Sequence, residues 1–475
     1  MHHTSFSALL RFFTLKRCLI LLLILYIMAL TLPYVAHKKV SEDFIETFSK
    51  RTFSADSVGK ERAAYINDNS NALLYRLSMI DKAQESIIMS TFDFNQDDAG
   101  TDMMAALFHA AERGVKVRVI IDGFSGIMDV QRNDWFEILT SHENIEVKIY
   151  NPINFLKPWD MQARLHDKYL IIDQSMYLLG GRNTMNLFLG DYSSSKNIDR
   201  ELFVLETQPD PNASIHQLTD YFKHVWESSD SHSFLCKNKK EKHLNIETSL
   251  RERYKQLTQQ YPTAYQDWDW ESLTFETNKI SLLSNPIGSN NKEPWMWYAI
   301  SSLMDHADEV TIYTPYIICG SEMYRDIFRL TQNGTDIEII TNDVASGANP
   351  WGCTDYLNQK KRIYKTGVKV YEYIGEHSCH TKAFLLDERI SILGSYNLDM
   401  RSTYQDTELM LVVDSPHLNK IMRQEAEQDK ISSKTMQADG TYQYGENYVP
   451  IQIGVLKQIF YAVLRVLIIP IRRFL

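Results

Sequence analysis

Two stretches of the chain carry the same chemically active residue types at the same spacing. Residues 166–183 read HDKYLIIDQSMYLLGGRN, and residues 380–397 read HTKAFLLDERISILGSYN. In each stretch a lysine lies two residues after the histidine, and an aspartate lies seven residues after the same histidine. A pair of small residues then comes shortly before an asparagine. The residues singled out in this way are His166, Lys168, Asp173, Gly181, Asn183, His380, Lys382, Asp387, Ser395 and Asn397. A single His-x-Lys sequence is common, but two copies with one spacing indicate a site assembled from two halves.

This set of side chains suits phosphate-ester chemistry. One imidazole can attack phosphorus and form a covalent phosphohistidine. The other can protonate the leaving alkoxide and later deprotonate the incoming hydroxyl. The lysines and the asparagine amides would hold the non-bridging oxygens as charge develops, and Gly181 and Ser395 would leave room for the phosphate. We therefore predict that the histidines, lysines and aspartates are catalytic and that the small residues and asparagines bind phosphate.

A nucleophilic histidine also needs an acceptor for its second ring nitrogen. Each motif is followed by an acidic residue in front of an apolar, strand-like run, Glu201 in NIDRELFVLE and Glu408 in YQDTELMLVV. We predict that these two carboxylates orient the histidines. Asp199 and Asp406 are close alternatives, because each lies only two residues earlier.

The sequence predicts a reaction without a metal ion or a cofactor. Its five cysteines form no CxxC pair or other spacing typical of metal ligands, and two lysines already supply positive charge to a bound phosphate. The formal net charge of −10 disfavours a nucleic-acid partner, which usually requires a basic stripe. The basic run at 237–242 is short and typical of a solvated face.

The elements that must position the motifs repeat as well. A strand, an amphipathic helix and a second strand are predicted within residues 85–122, and the same order recurs within 308–343. Gly114 and Gly334 end the two helices, at the position where a left-handed residue is favoured. Strands that alternate with helices predict mixed or mainly parallel sheets covered on both faces. We expect an α/β fold of two repeats, in which each His-x-Lys pair lies on a strand with both side chains on one face.

Both ends of the chain carry apolar segments. Residues 18–36 contain no charge and are long enough to cross a bilayer as a helix. We interpret them as a retained anchor, with a cleavable signal peptide as the alternative. Residues 449–475 are mostly apolar, with a polar stripe that includes Lys457 and Arg465. We expect a helix in the headgroup interface, with both basic residues toward anionic lipids; the alternative is a helix docked on the protein core.

These observations divide the chain into five segments. They are an N-terminal membrane anchor at 1–40, a first catalytic domain at 55–230, a connecting insertion at 231–276, a second catalytic domain at 277–448 and a C-terminal membrane-associated helix at 449–475. We expect the protein to be held in the cell membrane by a single pass. The side of the membrane on which the catalytic domains lie stays open, because basic residues flank the apolar segment at both ends.

The paired motifs resemble those of the phospholipase D superfamily, whose pattern is HxKx4Dx6G(S/G)xN. Within that superfamily the chain is similar to bacterial cardiolipin synthases, notably at GGRN (180–183) and GSYNLDMRS (394–402). The resemblance implies two phospholipase D-like α/β/α lobes related by pseudo-twofold symmetry, plus an N-terminal transmembrane helix, with the active site between the lobes. It also implies that His166 is the nucleophile and His380 the general acid and base. The chain departs from the pattern at Gly181, where serine is frequent.

The resemblance favours a phosphatidyltransferase that forms cardiolipin from two phospholipids, with phosphatidylglycerol the expected substrate, through a phosphohistidine intermediate. The expected partners are the phospholipid substrate and the membrane; the question of a protein partner stays open. A phospholipase D or another phosphodiesterase, which hydrolyses phospholipid or nucleic acid, would share every motif residue and is the alternative. A degenerate membrane scaffold is a non-enzymatic alternative, and the intact motifs in both halves argue against it.

Overall fold

The computed structural model describes residues 15–236, 241–347, 349–437 and 439–475. Residues 1–14 of the expected anchor and residues 237–240 of the basic run therefore lie outside the described residues. The described part of the chain forms two α/β lobes, each built on a mixed β-sheet, which confirms the predicted fold class.

The first lobe is built on a nine-stranded sheet. Residues 61–276 contain the strands β1 (Glu61–Ile66), β2 (Ser86–Thr91), β3 (Lys116–Asp122), β4 (Ile145–Tyr150), β5 (Tyr169–Ile172), β6 (Met176–Leu179), β7 (Asn197–Ile198), β8 (Glu201–Glu206), β9 (Ser231–Phe234) and β10 (Phe275–Glu276). Their order across the sheet is β10-β1-β8-β6-β5-β2-β3-β4-β9, with β7 outside it. Strands β2, β3 and β4 pair in parallel, and the remaining neighbours pair antiparallel.

The second lobe repeats this arrangement. Its strands are β11 (Lys279–Ser284), β12 (Glu309–Tyr313), β13 (Asp336–Asn342), β14 (Lys369–Tyr373), β15 (Ser378–Cys379), β16 (Ala383–Leu386), β17 (Ile390–Gly394), β18 (Leu409–Asp414), β19 (Ser433–Met436) and β20 (Tyr442–Tyr444). The order is β11-β18-β17-β16-β12-β13-β14-β19-β20. Apart from the added edge strands β10 and β20, the two sheets share one topology, as expected of a duplicated unit.

Helices cover the sheets. They are α1 (Leu15–Thr31), α2 (Glu42–Ser49), α3 (Asn69–Lys82), α4 (Asp98–Glu112), α5 (Asp134–Leu139), α6 (Ser214–Glu227), α7 (Glu241–Gln260), α8 (Trp295–Met304), α9 (Ser321–Gln332), α10 (Pro350–Tyr364), α11 (Met400–Tyr404), α12 (Pro416–Ile431) and α13 (Val455–Leu467). Shorter helical turns lie at Leu32–Tyr34, Gly123–Ser125, Gly126–Val130, Pro158–Asp160, Pro262–Tyr265 and Ile469–Phe474.

The two predicted strand–helix–strand units are confirmed. They are β2-α4-β3 in the first lobe and β12-α9-β13 in the second. Gly114 and Gly334 follow the ends of their helices with φ of +97° and +107°. These positions require the left-handed region, which glycine enters without a steric penalty.

The segment at 231–276, which the sequence suggested was a connecting insertion, is part of the first lobe. It supplies both edge strands of that sheet, because β9 pairs with β4 and β10 pairs with β1. Helix α7 packs against α4, and its buried residues Leu250 and Leu257 join the core of the first lobe.

The two lobes are joined by a shared apolar core and by polar contacts of one arginine. Buried side chains of both sheets, together with α6 and α12, form one continuous cluster. The buried Arg200 crosses the interface, where its guanidinium lies 2.8 Å from Glu425 and 3.0 Å from Asp429 and donates to Thr381 Oγ1 at 3.0 Å. Strands β7 and β15, one from each lobe, pair in parallel beside it. The lobes are therefore held in fixed register where the motifs meet.

Candidate active site

His166 and His380 lie in extended segments that lead into the central strands β5 and β16. The sequence predicted that each His-x-Lys pair lies on the strand itself, but both strands begin one residue after the lysine. The extended backbone still puts each histidine and lysine on the same side, because alternate residues of an extended chain point the same way. The Nζ atoms of Lys168 and Lys382 each donate to the main-chain oxygen of the neighbouring histidine.

Each histidine is held by a carboxylate from the opposite lobe. The Nδ1 atom of His166 lies 2.9 Å from Glu408 Oε1, and that of His380 lies 2.7 Å from Asp199 Oδ2. The main chain crosses between the lobes in the same way. His166 N–H donates to Thr407 O at 3.3 Å, and His380 N–H donates to Ile198 O at 2.7 Å. The site therefore needs both lobes, because each histidine takes its orienting carboxylate from the other lobe.

Glu201 does not orient a histidine, contrary to the sequence expectation. Its buried carboxylate accepts two hydrogen bonds from Arg76, at 2.6 and 2.7 Å, and lies 3.3 Å from Arg182 Nε. The carboxylate that contacts His380 is Asp199, the alternative two residues earlier. Arg182 supports that residue as well, because its guanidinium donates to the main-chain oxygen of Asp199.

The register of the sheets explains the mistake. Leu179 and Leu393 occupy equivalent positions, each directly before the first glycine of its motif. Leu179 pairs with Leu202 in the first lobe, and Leu393 pairs with Leu411 in the second. Asp199 lies three residues before Leu202, and Glu408 lies three residues before Leu411. The two carboxylates are therefore structural equivalents, although the Asp-x-Glu sequences around them align Glu408 with Glu201.

Ser395 and Gly181 serve these carboxylates and not a phosphate. Ser395 Oγ donates to Glu408 Oε2 and accepts a hydrogen bond from Leu409 N at 3.0 Å. A Cβ atom at Gly181 would lie 2.3 Å from Asp199 Oδ2. The glycine therefore gives the Asp199 carboxylate its space, where the equivalent serine binds the longer Glu408. The predicted phosphate-binding role of both residues is corrected accordingly.

Asp173 and Asp387 hold the turns after β5 and β16 and contact neither histidine. The Asp173 carboxylate accepts three main-chain N–H groups that lead into β2, at 2.7–2.8 Å. Asp387 accepts two N–H groups at the start of β12, at 2.9 and 3.0 Å. Both have positive φ, 49° and 47°, which aspartate tolerates better than most residues. Their predicted catalytic role is therefore corrected to a structural one.

The two asparagines of the motifs are buried. Asn183 Nδ2 donates to Asp93 Oδ2 at 3.2 Å, and Asp93 N donates back to Asn183 Oδ1 at 3.4 Å. Burial raises the pKa of Asp93 to about 6. Among the described residues, Asn397 Oδ1 has no hydrogen-bond partner, so this amide keeps unused bonding capacity beside the second motif.

Two phenylalanines that the sequence analysis missed flank the imidazoles. The ring of Phe92 meets that of His166 edge-on with centroids 5.4 Å apart, and Phe188 meets His380 in the same way at 4.9 Å. Both belong to loops of the first lobe, where no periodicity marks them. Apolar contacts on the rings limit the access of water to the histidines and strengthen electrostatic interactions there.

Burial dominates the charge states of the site. It lowers the pKa of His166 well below the usual value, with Lys168 adding to the effect, and it lowers the pKa of Lys168 to about 8. Burial also raises the pKa of Glu408 to about 8, although Lys168 and Ser395 oppose this.

The second pair differs. Burial alone would raise the pKa of Asp199, but Lys382 and His380 outweigh it and lower the value to about 2. Burial and Lys382 lower the pKa of His380 to about 3, against the effect of Asp199. The neutral imidazole of His380 therefore contacts an ionised Asp199 through Nδ1, and Lys382 Nζ lies 2.6 Å from the same nitrogen.

In this arrangement the Nδ1 atom of each imidazole contacts a carboxylate, which leaves Nε2 as the nitrogen for chemistry. Lys382 Nζ lies 3.2 Å from Nε2 of His380. Two buried lysines lie beside the imidazoles and favour an anion. Such a site can carry out a two-step transfer of a phosphoryl-type group, with one imidazole as nucleophile and the other as proton carrier.

A family model described as cardiolipin synthase, PLD-like domain, matches residues 77–226 and 300–430. The matched residues make up more than half of the chain and include both motifs. The chain belongs to this family. It is an enzyme of the phospholipase D superfamily, a phospholipid transferase at the level of the family, and the resemblance of the motifs is confirmed.

Similar proteins support this membership. Cardiolipin synthase C of Escherichia coli (strain K12) is 24% identical over 395 residues, which cover 74% of this chain and 81% of that protein. An uncharacterized protein of Helicobacter pylori (strain ATCC 700392 / 26695) is 26% identical over 406 residues, 76% of this chain and 78% of the relative.

One solved structure shares the two-lobed fold. The phosphatidylserine synthase of Haemophilus influenzae Rd KW20 matches with a TM-score of 0.62 and 16% identity, covering 91% of this chain and 99% of that chain. At this identity the likeness concerns the fold alone. The family assignment thus rests on the sequence match, and the structure agrees with it.

Proposed function

We propose that this family member joins two phosphatidylglycerol molecules into cardiolipin and releases glycerol. The family supports phospholipid transfer, and relatives named cardiolipin synthase C and cardiolipin synthase A favour this product. The observation that carries the mechanism is the crossed pairing of His166 with Glu408 and of His380 with Asp199. It fixes two imidazoles in one site, as a two-step transfer requires.

In the first step, His166 Nε2 attacks the phosphorus of one phosphatidylglycerol. A phosphorus–nitrogen bond forms and the bond from phosphorus to the glycerol oxygen breaks. His380, which gains a proton when the anionic phosphodiester binds beside it, gives that proton to the departing glycerol oxygen. The Glu408 carboxylate stabilises the positive charge that develops on the His166 ring through its Nδ1–H.

In the second step, the hydroxyl of another phosphatidylglycerol attacks the phosphohistidine. His380 takes the hydroxyl proton, the new phosphorus–oxygen bond forms, and the bond to His166 breaks. Lys168 and Lys382 balance the charge on the non-bridging oxygens, and the Nδ2–H group of Asn397 donates to the same oxygens. The cycle regenerates both histidines without an external reactant.

The N-terminal segment is proposed as a single-pass anchor. Among the described residues, one helical segment, Lys16–Tyr34, is long and apolar enough to cross a membrane. Its apolar side chains are largely exposed, for example Leu22 at 61%. Such an anchor would hold the active site close to its lipid substrate.

The test is product analysis with the purified enzyme and phosphatidylglycerol vesicles in water enriched in oxygen-18. We expect cardiolipin and free glycerol in equal amounts, with no oxygen-18 in the lipid. Phosphatidic acid carrying oxygen-18 as the main product would identify a hydrolase and overturn the proposal.

Matched variants assign the signal to the site. His166→Ala should abolish cardiolipin formation, whereas His216→Ala, on the half-exposed face of α6, should leave it unchanged. Product formation that survives His166→Ala would show that another residue is the nucleophile.

A further inference from the structure

We propose that helix α13 enters the surface of the bilayer by its outward apolar face and forms one membrane-bound side with the loop 151–164 and the end of α1. This inference goes beyond the proposed reaction, because it does not depend on which phospholipid reacts. It concerns the partner of a surface that the catalytic mechanism leaves unused.

The outward face of α13 is apolar and at least half exposed. Its side chains are Leu456, Ile459, Phe460, Val463, Val466 and Leu467, with exposed fractions from 50% to 84%. They recur at intervals of three and four residues, so they form one continuous stripe on the helix. A contiguous exposed apolar stripe of this size marks an interaction site.

The basic residues of α13 face the protein, which reverses the expectation from the sequence. Lys457 Nζ donates to Ala345 O at 3.0 Å, and Arg465 Nε donates to Asn358 Oδ1 at 2.8 Å. Tyr461 between them is 5% exposed. Both partners are uncharged groups and both basic side chains remain exposed at the protein-facing edge of the helix, so the outward stripe itself carries no charge. Apolar burial is the remaining driving force.

The C-terminal residues connect α13 to the end of α1. After the helix, the turn Ile469–Phe474 leads to Arg473, whose guanidinium donates to Val35 O directly after the apolar N-terminal segment. Tyr34, the last residue of that segment, donates its hydroxyl to Trp159 O at 2.9 Å. The C-terminal turn and the residues that follow α1 therefore lie at one side of the molecule.

The loop 151–164 belongs to the same side and leads directly into His166. Phe155, Leu156 and Trp159 in this loop are 62%, 87% and 46% exposed. The N-terminal helix packs against the turn Pro158–Asp160. Lipid contact at this loop would bring the bilayer surface to the segment that carries the nucleophile.

A bilayer is the occupant that fits this surface. The segment Lys16–Tyr34 is mostly exposed up to its last residue, the buried Tyr34, and is long enough to cross the hydrocarbon core. A membrane that accepts this helix must reach its end at Tyr34, where the loop and the C-terminal turn meet it. The apolar stripe of α13 is then continuous with a surface already in lipid.

The experiment uses the full-length enzyme in vesicles of phosphatidylcholine, which is not the proposed substrate. Nitroxide labels are placed singly at Val463→Cys or Leu156→Cys, with Leu244→Cys as the control, in a background where Cys18 and Cys236 are serine. Leu244 is a similarly exposed apolar residue, 55%, on α7 of the first lobe. Power saturation compares collisions with oxygen, which concentrates in hydrocarbon, and with a water-soluble nickel chelate.

We expect the labels at 463 and 156 to show several-fold higher oxygen-to-nickel collision ratios than the label at 244. Salt at about 1 M should not change these ratios, because screening at that concentration removes only electrostatic contact. Water-like ratios at 463 or 156 would overturn the proposal, as would protection from both reagents, which would indicate a second protein copy. A label at Val466→Cys, on the same face, should give the same ratios as the label at 463, which shows that the result does not come from a local disturbance at Val463.

Discussion

At the scale of single residues, the hydroxyl of Ser395 and the ammonium group of Lys168 oppose the effect of burial on the pKa of Glu408. Burial raises the pKa of this carboxyl to about 8, and the Ser395 hydrogen bond lowers it from a still higher value. The carboxylate must be ionised to accept the Nδ1 proton of His166. Activity should therefore rise with pH as Glu408 loses its proton.

Ser395→Ala removes the hydrogen bond and should raise the pKa of Glu408 further. We expect the acidic limb of the kcat/KM profile to move to higher pH, with the measurement made from pH 5 to 10. The control is Ser391→Ala, a buried serine in β17, the strand that precedes Ser395, whose Oγ atom makes no hydrogen bond within the described residues. If the acidic limb does not move in Ser395→Ala, then Ser395 does not influence the pKa of Glu408.

The two histidines should behave as one catalytic unit. His380→Ala removes the proton carrier and should lower kcat by roughly 10²–10⁴-fold, and His166→Ala, which removes the nucleophile, should lower it at least as far. The double variant should be about as inactive as the worse single variant, because the two residues serve the same reaction steps. Multiplicative losses in steady-state kinetics would mean that the residues act independently.

At the scale of elements, the pairing of β6 with β8 decides which carboxylate reaches His380. Asp199→Asn should lower kcat by roughly 10²–10⁴-fold, because an amide cannot stabilise the charge that His380 gains when it carries the proton. Glu201→Gln should instead destabilise the fold by about 3–5 kcal/mol, since it leaves Arg76 and Arg182 buried without their carboxylate. Thermal unfolding and kinetics on both variants give the test. The opposite pattern would restore Glu201 as the orienting residue.

The same pairing shows what the sequence could predict. The repeated spacing of His, Lys and Asn identified the site, because those residues lie in short segments that both halves conserve in length. The orienting carboxylate lies sixteen residues after Asn183 but eleven after Asn397. Only the strand register, which a sequence does not display, aligns Asp199 with Glu408.

Helix α13 shows a second limit of the sequence. Its pattern correctly separates a polar stripe from an apolar face, but either face could contact the protein. The acceptors that settle the matter, Ala345 O and Asn358 Oδ1, lie more than a hundred residues away in the chain. The expectation that Lys457 and Arg465 reach the headgroups was wrong for this reason.

At the scale of the whole molecule, the two histidine–carboxylate pairs between the lobes make both lobes necessary for one active site. His166 depends on Glu408 from the second lobe, and His380 depends on Asp199 from the first. The shared core and Arg200 hold the lobes in the register that these pairs need. A membrane at the side formed by α1, α13 and the loop before His166 would supply lipid to this site.

The most direct test of the central claim is lipid mass spectrometry of a bacterial host that lacks cardiolipin and expresses this chain. The account predicts that cardiolipin appears with the wild-type chain and is missing with His166→Ala at equal protein level. It also predicts that Glu408→Gln strongly reduces the product, because the imidazole of the other lobe loses its carboxylate. Unchanged cardiolipin in these variants, or phosphatidic acid in place of cardiolipin with the wild-type chain, would contradict the account.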